Sequence, residues 1–282
     1  MDACSEFYVT LKDQIMGGQL KLPGLPDIAL RVQRAINNPD YNSADIAKII
    51  QTDIPLSGRI IQVANSPLYQ GVSPVEHCQG AVTRLGMKVV RNLVTSFAVR
   101  RLYLNKNNVT RKYFEALWKH AVKISAISFT LARISPGFDP ERAMLAGLVH
   151  DIGELLILQY AESNKVLLEN KSLFNAFIQR FKHKLGAIIL KQWRFENDLI
   201  LAALESENWH RDESEKADYA DVIMISHLLE YHIQNRLPVG LGDITELPAY
   251  KKFPIFRLGH HAHKELLLES QDEIAELQRL LR

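Results

Sequence analysis

The chain has 282 residues, of which 47% are hydrophobic and 23% charged, enough for a substantial core in one large domain or in two. Its formal net charge is only +2, so neither nucleic acid, a membrane surface nor a polyanionic substrate has electrostatic support as a partner. The two cysteines, Cys4 and Cys78, are too few for a disulfide framework, and neither a signal peptide nor a membrane-spanning run is recognised, so we expect a cytoplasmic protein with reduced thiols.

Apolar residues recur at helical spacing through the first hundred positions, with turn residues between the periodic segments. Asn42 or Ser43 is expected to cap one of the short helices, and Ser57 the next. Gly86 is expected to end a further helix, because glycine is the usual residue just past a helix C-terminus. The pattern predicts a compact bundle of short helices over residues 1–104.

Two of these short helices flank Asp53-Ile54-Pro55, an arrangement that a DNA-binding helix-turn-helix would also produce. The second of them offers Arg59 but little other positive charge. Because a basic patch is the first requirement for DNA binding, we expect none here.

The second half of the chain also has helical periodicity. A long helix should carry His120, and a single helix over residues 141–160 should carry His150. Two later helices should carry His183 and Asp221. No strand-like alternation of useful length and no internal repeat occurs, so the sequence predicts an all-α protein.

The polar segment 105–110 is the expected boundary between the two halves, and a second helical bundle should occupy residues 105–235. Residues 236–282 are interpreted as a C-terminal extension whose tail, from Lys264, forms one exposed amphipathic helix. Such a helix is a candidate surface for homo-oligomer formation. Its apolar residues are Leu267, Ile274, Leu277 and Leu281.

Three helices of the second half carry residue types that bind metals. His120, the adjacent pair His150 and Asp151, and Asp221 can converge on one divalent ion inside a helical bundle. Imidazole nitrogen suits transition metals, and carboxylate oxygen suits harder cations. The alternative is a polar network in the core, because a histidine on an apolar helix face is more often hydrogen-bonded there than bound to a metal.

Ordered motifs in the first half resemble those of one family. Residues 22–26 are similar to its opening Leu-Pro-x-Leu-Pro, and residues 49–56 to its Ile-x-x-Asp-Pro-x-Leu, with the proline displaced to Pro55. Residues 63–69 are similar to its Ala-Asn-Ser-x-x-Tyr, and residues 81–86 to its Ala-Ile-x-x-Leu-Gly. The chain thus resembles the HDOD domain, the HD-related output domain of bacterial signalling proteins.

The second half is similar to the core of HD-domain phosphohydrolases. Their pattern is a histidine, then a His-Asp pair, then a distant aspartate, which His120, His150-Asp151 and Asp221 match. The resemblance implies a fold in which the N-terminal bundle of short helices packs on a C-terminal HD-type helical bundle. It also implies a role in signalling.

The chain departs from the related HD-GYP phosphodiesterases, which cleave cyclic di-GMP. Their usual lysine after His-Asp-Ile-Gly is Glu154 here, so a carboxylate replaces a cationic phosphate contact. His183 resembles one of their further histidines, but their later His-His pair is missing. Glu205 and Glu207 stand in that region and are interpreted as solvent-facing rather than as substitute ligands. The resemblance therefore disfavours a two-metal cyclic-dinucleotide hydrolase.

Two functions remain open. We expect a catalytically degenerate regulatory module that binds a signalling protein in trans or a nucleotide ligand. The alternative is a metal-dependent phosphohydrolase that acts on a nucleotide or phosphoester through one ion of iron, manganese, zinc or nickel. In that alternative His183 assists catalysis, and the metal ligands are His120, His150, Asp151 and Asp221.

Overall fold

The computed structural model describes five stretches of the chain: residues 2–104, 110–233, 238, 241–258 and 270–281. Within them every regular element is an α-helix or a 3₁₀-helix, so the all-α prediction is confirmed. One continuous cluster of buried apolar side chains runs through both halves, from Leu11 to Leu281. The predicted boundaries after residues 104 and 235 stay predictions, because both adjoin residues outside the described stretches.

The first half of the chain contains short helices of 8 to 14 residues. They are α1 (Ala3–Met16), α2 (Asp27–Ile36), α3 (Ser43–Gln51), α4 (Ile54–Ala64), α5 (Cys78–Leu85) and α6 (Met87–Arg100), followed by a 3₁₀ turn at Arg101–Tyr103.

The helices of the second half include the two longest described, α7 and α11. They are α7 (Arg111–Ile134), α8 (Pro140–Val149), α9 (Gly153–Glu162), α10 (Lys165–Glu169), α11 (Lys171–Gln192), α12 (Asn197–Glu205), α13 (Tyr219–Ile233), α14 (Pro248–Lys252) and α15 (Gln271–Leu281).

Helix α7 is the centre of the second half, and it packs against α8, α13 and α15. Helix α6 packs on α8 and so joins the first bundle to the second. The hydroxyl of Tyr103 reinforces this junction, because it donates a hydrogen bond to the carbonyl oxygen of Leu148 in α8 at 3.2 Å. The sequence did not indicate α1, which packs on α11, where Tyr8 stacks on Phe181 with ring centroids 4.2 Å apart.

The prediction of a single helix over residues 141–160 is wrong, because a turn at His150, Asp151 and Ile152 separates α8 from α9. In this turn the N–H groups of Ile152 and Glu154 donate to carbonyls three residues earlier instead of four. The sequence was not expected to contain a stretch long and apolar enough to cross a membrane, but Pro140–Glu162 is one by length and composition. However, 89% of its most apolar segment is buried inside the protein. It forms the core of the second bundle.

Helix ends in the first half follow local signals in two of three cases. Asn42 caps α3 in a capping box with Asp45, and Gly86 ends α5 with a φ of 79°, as the sequence predicts. The expected cap at Ser57 is wrong. Asp53 caps α4 instead, because its carboxylate accepts from the N–H of Leu56 at 3.1 Å and Pro55 occupies the first turn.

Replacing Asp53 with alanine should therefore lower the free energy of unfolding by about 1 kcal/mol, the usual cost of losing a side-chain cap. Ser57→Ala lies one turn further along α4 and should change it by less than about 0.5 kcal/mol. Urea unfolding of both variants checks this. Equal losses would mean that the cap of α4 is not what Asp53 contributes.

The C-terminal tail is not an exposed helix where the structure describes it. Residues 259–269 lie outside the described stretches, and α15 buries Leu277, Leu280 and Leu281 against the rest of the protein. The carboxylate of Glu273 accepts a hydrogen bond from Thr130 of α7 at 3.2 Å. Two residues of the apolar face proposed for self-association, Leu277 and Leu281, are thus covered by the chain's own core, whereas Leu267 lies outside the described stretches and homo-oligomer formation stays a prediction.

Candidate metal centre

Three histidines from separate elements meet in the second bundle. His120 comes from α7, His150 from the turn after α8, and His227 from α13. One ring nitrogen from each lies within 4.8 Å of the others. The ring of His227 lies 5.2 Å from that of His120 and 4.8 Å from that of His150, measured between centroids. The sequence predicted the first two of these residues and missed His227.

Hydrogen bonds orient two of the rings. Nδ1 of His150 lies 2.8 Å from the carbonyl oxygen of Gly147, and because a carbonyl only accepts, Nδ1 carries the proton and Nε2 faces the cluster. Nδ1 of His120 lies 3.1 Å from Oε2 of Glu230, which leaves its Nε2 on the side of Asp151. A backbone carbonyl and a carboxylate are the usual partners that orient metal-binding histidines.

Several nitrogens in the cluster have no hydrogen bond. Among the described residues, both ring nitrogens of His227 are buried without a hydrogen-bond partner, and Nε2 of His150 has only the carboxylate of Asp151 beside it, 3.2 Å from Oδ2. His150 and His227 have no exposed surface. Burial first, and then the neighbouring His150 and His120, hold the pKa of His227 well below its usual value, so its ring is neutral and offers a lone pair.

These three residues fit a transition metal. Neutral imidazole nitrogens are common ligands of zinc, iron, copper and nickel, and unsatisfied buried nitrogens are expected where an ion belongs. Burial lowers the pKa of His120, but Glu230 and Asp151 together raise it above its usual value. A metal that bound His120 would therefore have to displace a proton.

The carboxylate of Asp151 adjoins the histidines but already has a cation. Its Oδ2 lies 3.2 Å from Nε2 of His150, and its Oδ1 lies 3.0 Å from Nζ of Lys182 in α11. Burial raises the pKa of Asp151, yet His150 and Lys182 together hold it well below the usual range. Asp151 is thus ionised and bound to an internal ammonium group.

The ammonium group of Lys182 forms ion pairs with three carboxylates. Its Nζ also lies 3.0 Å from Oε1 of Glu207 and 3.6 Å from Oε1 of Glu154. Only 3% of the residue is exposed. Burial lowers the pKa of this lysine, but Asp151 and Glu154 raise it above its usual value, so it stays charged. The expectation that Glu207 faces solvent is therefore wrong.

His183 is linked to the centre only through this network in the described contacts. Its Nε2 lies 3.3 Å from Oε2 of Glu207, and its Nδ1 lies 3.1 Å from the carbonyl oxygen of Ala203. Glu207 in turn binds Lys182. The structure therefore places His183 beside the charged network and not in the histidine cluster.

Asp221 does not join the histidines, contrary to the predicted ligand set. Its carboxylate lies 3.3 Å from Nη1 of Arg211 and 3.4 Å from Nζ of Lys252, and it is fully buried. Six residues separate Asp221 from His227, which turns the helix by about 240°, so the two side chains leave α13 on different faces. The sequence did contain a signal for His227, because it is a histidine inside the apolar run 222–229. Glu230 follows it three residues later, close to one helical turn, so the two polar side chains share one side of the helix.

Known proteins resemble this chain in both sequence and structure. A family profile described as "HDOD domain" matches residues 22–209, which include His120, His150 and His183 but not α13. A solved structure from Shewanella amazonensis SB2B, described as a "Putative metal-dependent phosphohydrolase", is 25% identical, with a TM-score of 0.83 over 100% of both chains.

Other solved structures share the fold at lower identity. An "HDOD domain protein with unknown function" from Geobacter sulfurreducens is 20% identical, with a TM-score of 0.68 over 98% of both chains. A "Putative signal transduction protein" from Marinobacter aquaeolei VT8 is also 20% identical, with a TM-score of 0.70 over 99% of this chain and 66% of that one.

One curated relative is an uncharacterized protein of Treponema pallidum (strain Nichols). It is 26% identical over an alignment of 193 positions, which covers 64% of this chain and 36% of the relative. The match therefore spans little more than a third of that relative's length.

Proposed function

The chain belongs to the HDOD domain family, and from that premise we propose that it is a regulatory signalling module whose His-Asp centre organises the core instead of hydrolysing a phosphoester. In this role the module binds a signalling protein in trans or a nucleotide. The solved relative described as a signal transduction protein supports the same kind of role.

The contact between Lys182 and Asp151 is the observation that carries this proposal. A metal-dependent hydrolase needs its carboxylate ligand for the ion, whereas here the ammonium of Lys182 lies 3.0 Å from Oδ1 of Asp151. Asp221, the other expected carboxylate ligand, is paired with Arg211 and Lys252. The rings of His150 and His227 are fully buried, so a phosphoester could contact them only if neighbouring side chains moved.

A second candidate function is a one-metal phosphohydrolase. The three clustered histidines with unsatisfied nitrogens support it, as does the relative described as a metal-dependent phosphohydrolase. His120, His150 and His227 would hold the ion, which would polarise a phosphoryl oxygen and lower the pKa of bound water. His183 would then act through Glu207, because it contacts that carboxylate and not the cluster.

Metal content separates the two functions. We expect untagged protein, purified without chelator and then incubated with Mn²⁺ or Fe²⁺ and dialysed, to retain much less than one ion per chain. Asp151 is already paired with Lys182, and a metal would have to displace the proton that Glu230 and Asp151 favour on His120. Elemental analysis measures this, and the same samples should release no phosphate or nucleotide from a panel of phosphoesters. Circular dichroism verifies that each sample is folded.

Three variants locate any metal that is found. About one ion per wild-type chain, lost in both His150→Ala and His227→Ala but retained in Asp221→Asn, would overturn the regulatory proposal and favour the hydrolase. Loss in His150→Ala and Asp221→Asn, with the ion retained in His227→Ala, would instead support the ligand set expected from the sequence.

A further inference from the structure

A cavity of about 180 Å³ lies in the first bundle, away from the histidine cluster. Helices α2, α4 and α6 and the 3₁₀ turn at Arg101–Tyr103 contribute to its walls. Its lining combines cationic and apolar side chains, of which the important ones are Arg59, Arg100, Arg101, Phe97, Ile28 and Leu104.

Three arginines line this cavity, and among the described residues one carboxylate, that of Asp53, pairs with them. Arg101 binds Oδ2 of Asp53 at 2.6 Å. Arg59 lies over the ring of Phe97, 5.4 Å from its centroid, and is 3.4 Å from the carbonyl oxygen of Leu280. Arg100 has no ion-pair partner in the described part of the chain. Two of the three positive charges therefore have no carboxylate partner among the described residues.

Partial burial and mutual repulsion both oppose the positive charges of this cluster, and a bound anion would offset both. Burial lowers the pKa of Arg59 below its usual value, and the charges of Arg100 and Arg101 lower it further. Burial also lowers the pKa of Arg100. Contacts hold two of these side chains at the cavity, since Arg101 is bound to Asp53 and Arg59 to the carbonyl oxygen of Leu280. Arg100 lines the same cavity, so the repulsion among the three charges persists.

We propose that this cavity is a binding site for the phosphoryl group of a small phosphorylated metabolite. Guanidinium groups match phosphate oxygens with paired, charge-assisted hydrogen bonds. Phe97 and Leu104 supply an apolar wall for the organic part of the ligand. The site is independent of the histidine cluster and of the function proposed for it.

The dimensions of the cavity restrict the ligand. Its volume lies below the roughly 300–1,000 Å³ of pockets that enclose a whole drug-sized molecule, so only a phosphate or a phosphomonoester head enters. A nucleic-acid site would need a stripe of positive charge on the protein that follows the phosphate backbone, whereas these arginines line one recess. The apolar lining favours an ester over free phosphate.

Calorimetric titration with inorganic phosphate and with adenosine monophosphate, at constant ionic strength, tests the site in the full chain. We expect saturable binding of one equivalent of each probe. Arg100→Gln should weaken both about tenfold or more, since loss of one charged contact exceeds about 1.4 kcal/mol. Arg111→Gln makes the same charge change at an exposed position of α7 and should leave both affinities unchanged.

Additional variants keep the result unambiguous. Arg59→Gln replaces Arg100→Gln if circular dichroism finds the latter unfolded. Leu104→Ser should weaken adenosine monophosphate but not inorganic phosphate, because the Leu104 side chain is 69% exposed and contributes only an apolar wall. Absence of saturable phosphate binding, or equal weakening in Arg111→Gln, would refute the site.

Discussion

Replacing Gly153 with alanine should cost about 3 kcal/mol or more of the free energy of unfolding, at the upper end of overpacking effects. A Cβ at this position would lie 2.0 Å from the carbonyl oxygen of Lys182 and 2.6 Å from the backbone nitrogen of Gly186. Both neighbours are backbone atoms of α11, so no side-chain rotation can relieve the clash. Helices α9 and α11 would have to move apart.

Gly186→Ala is the matched control, because it adds a methyl group at the same helix crossing from the opposite side. Its nearest atom would be 3.5 Å away, which is ordinary van der Waals contact. Alanine also gains up to about 1 kcal/mol over glycine inside a helix, so this variant should be neutral or stabilising. Urea unfolding of both proteins measures the difference, and similar stabilities would contradict the close approach of α9 to α11.

The second large effect is expected from Lys182→Met, which should lower the free energy of unfolding by about 3–5 kcal/mol. The substitution keeps an unbranched side chain of similar length but leaves Asp151, Glu154 and Glu207 without their common cation. Asp151 is 2% exposed, so water cannot replace the lost ammonium group. Lys184→Met on the exposed face of the same helix is the control and should change little.

The loss in Lys182→Met should also depend on pH. Burial, and after it Asp151, raises the pKa of Glu154 from an ordinary 4.5 to about 7. A carboxyl group whose pKa is raised on folding destabilises the fold as the pH rises through that interval. Removing Lys182 removes a charge that lowers this pKa. The variant should therefore lose more stability at about pH 8 than at about pH 5.5, and an equal loss at both would contradict the shared-cation interpretation.

The helical framework was predictable wherever short-range signals determine it. Asn42 and Gly86 act through their own backbone and that of the next few residues, so their positions in the sequence are sufficient. The break between α8 and α9 was not predictable in this way. The apolar pattern continues through His150, and the close contact of Gly153 with α11 depends on residues about thirty positions later.

In the candidate site, too, the residues linked by a sequence pattern were predictable, and those placed by helix packing were not. The structure brings His120, His150 and Asp151 together, as the sequence pattern indicates. It replaces Asp221 by His227, because the face of α13 that meets the cluster depends on how the whole helix docks. The interpretation of Glu154 as a lost cationic position was incomplete.

That incomplete interpretation has a physical cause. Lys182 places its ammonium 3.6 Å from Glu154, so the positive charge reaches the centre from α11 instead of from the turn itself. No local pattern connects these two residues, since helix packing alone makes them neighbours. The spacing of residues within one helix therefore cannot predict which charges on a neighbouring helix will balance its own.

The docking of α15 on α7 limits when the protein can finish folding on the ribosome. Thr130 and Glu273, which join these helices, are 143 residues apart in the chain. At bacterial or eukaryotic rates of synthesis, that distance takes roughly 7–30 s to translate. Throughout this interval the surface of α7 that α15 will cover is exposed on the nascent chain. A chaperone that binds exposed apolar surface would find it on α7 until α15 has been made.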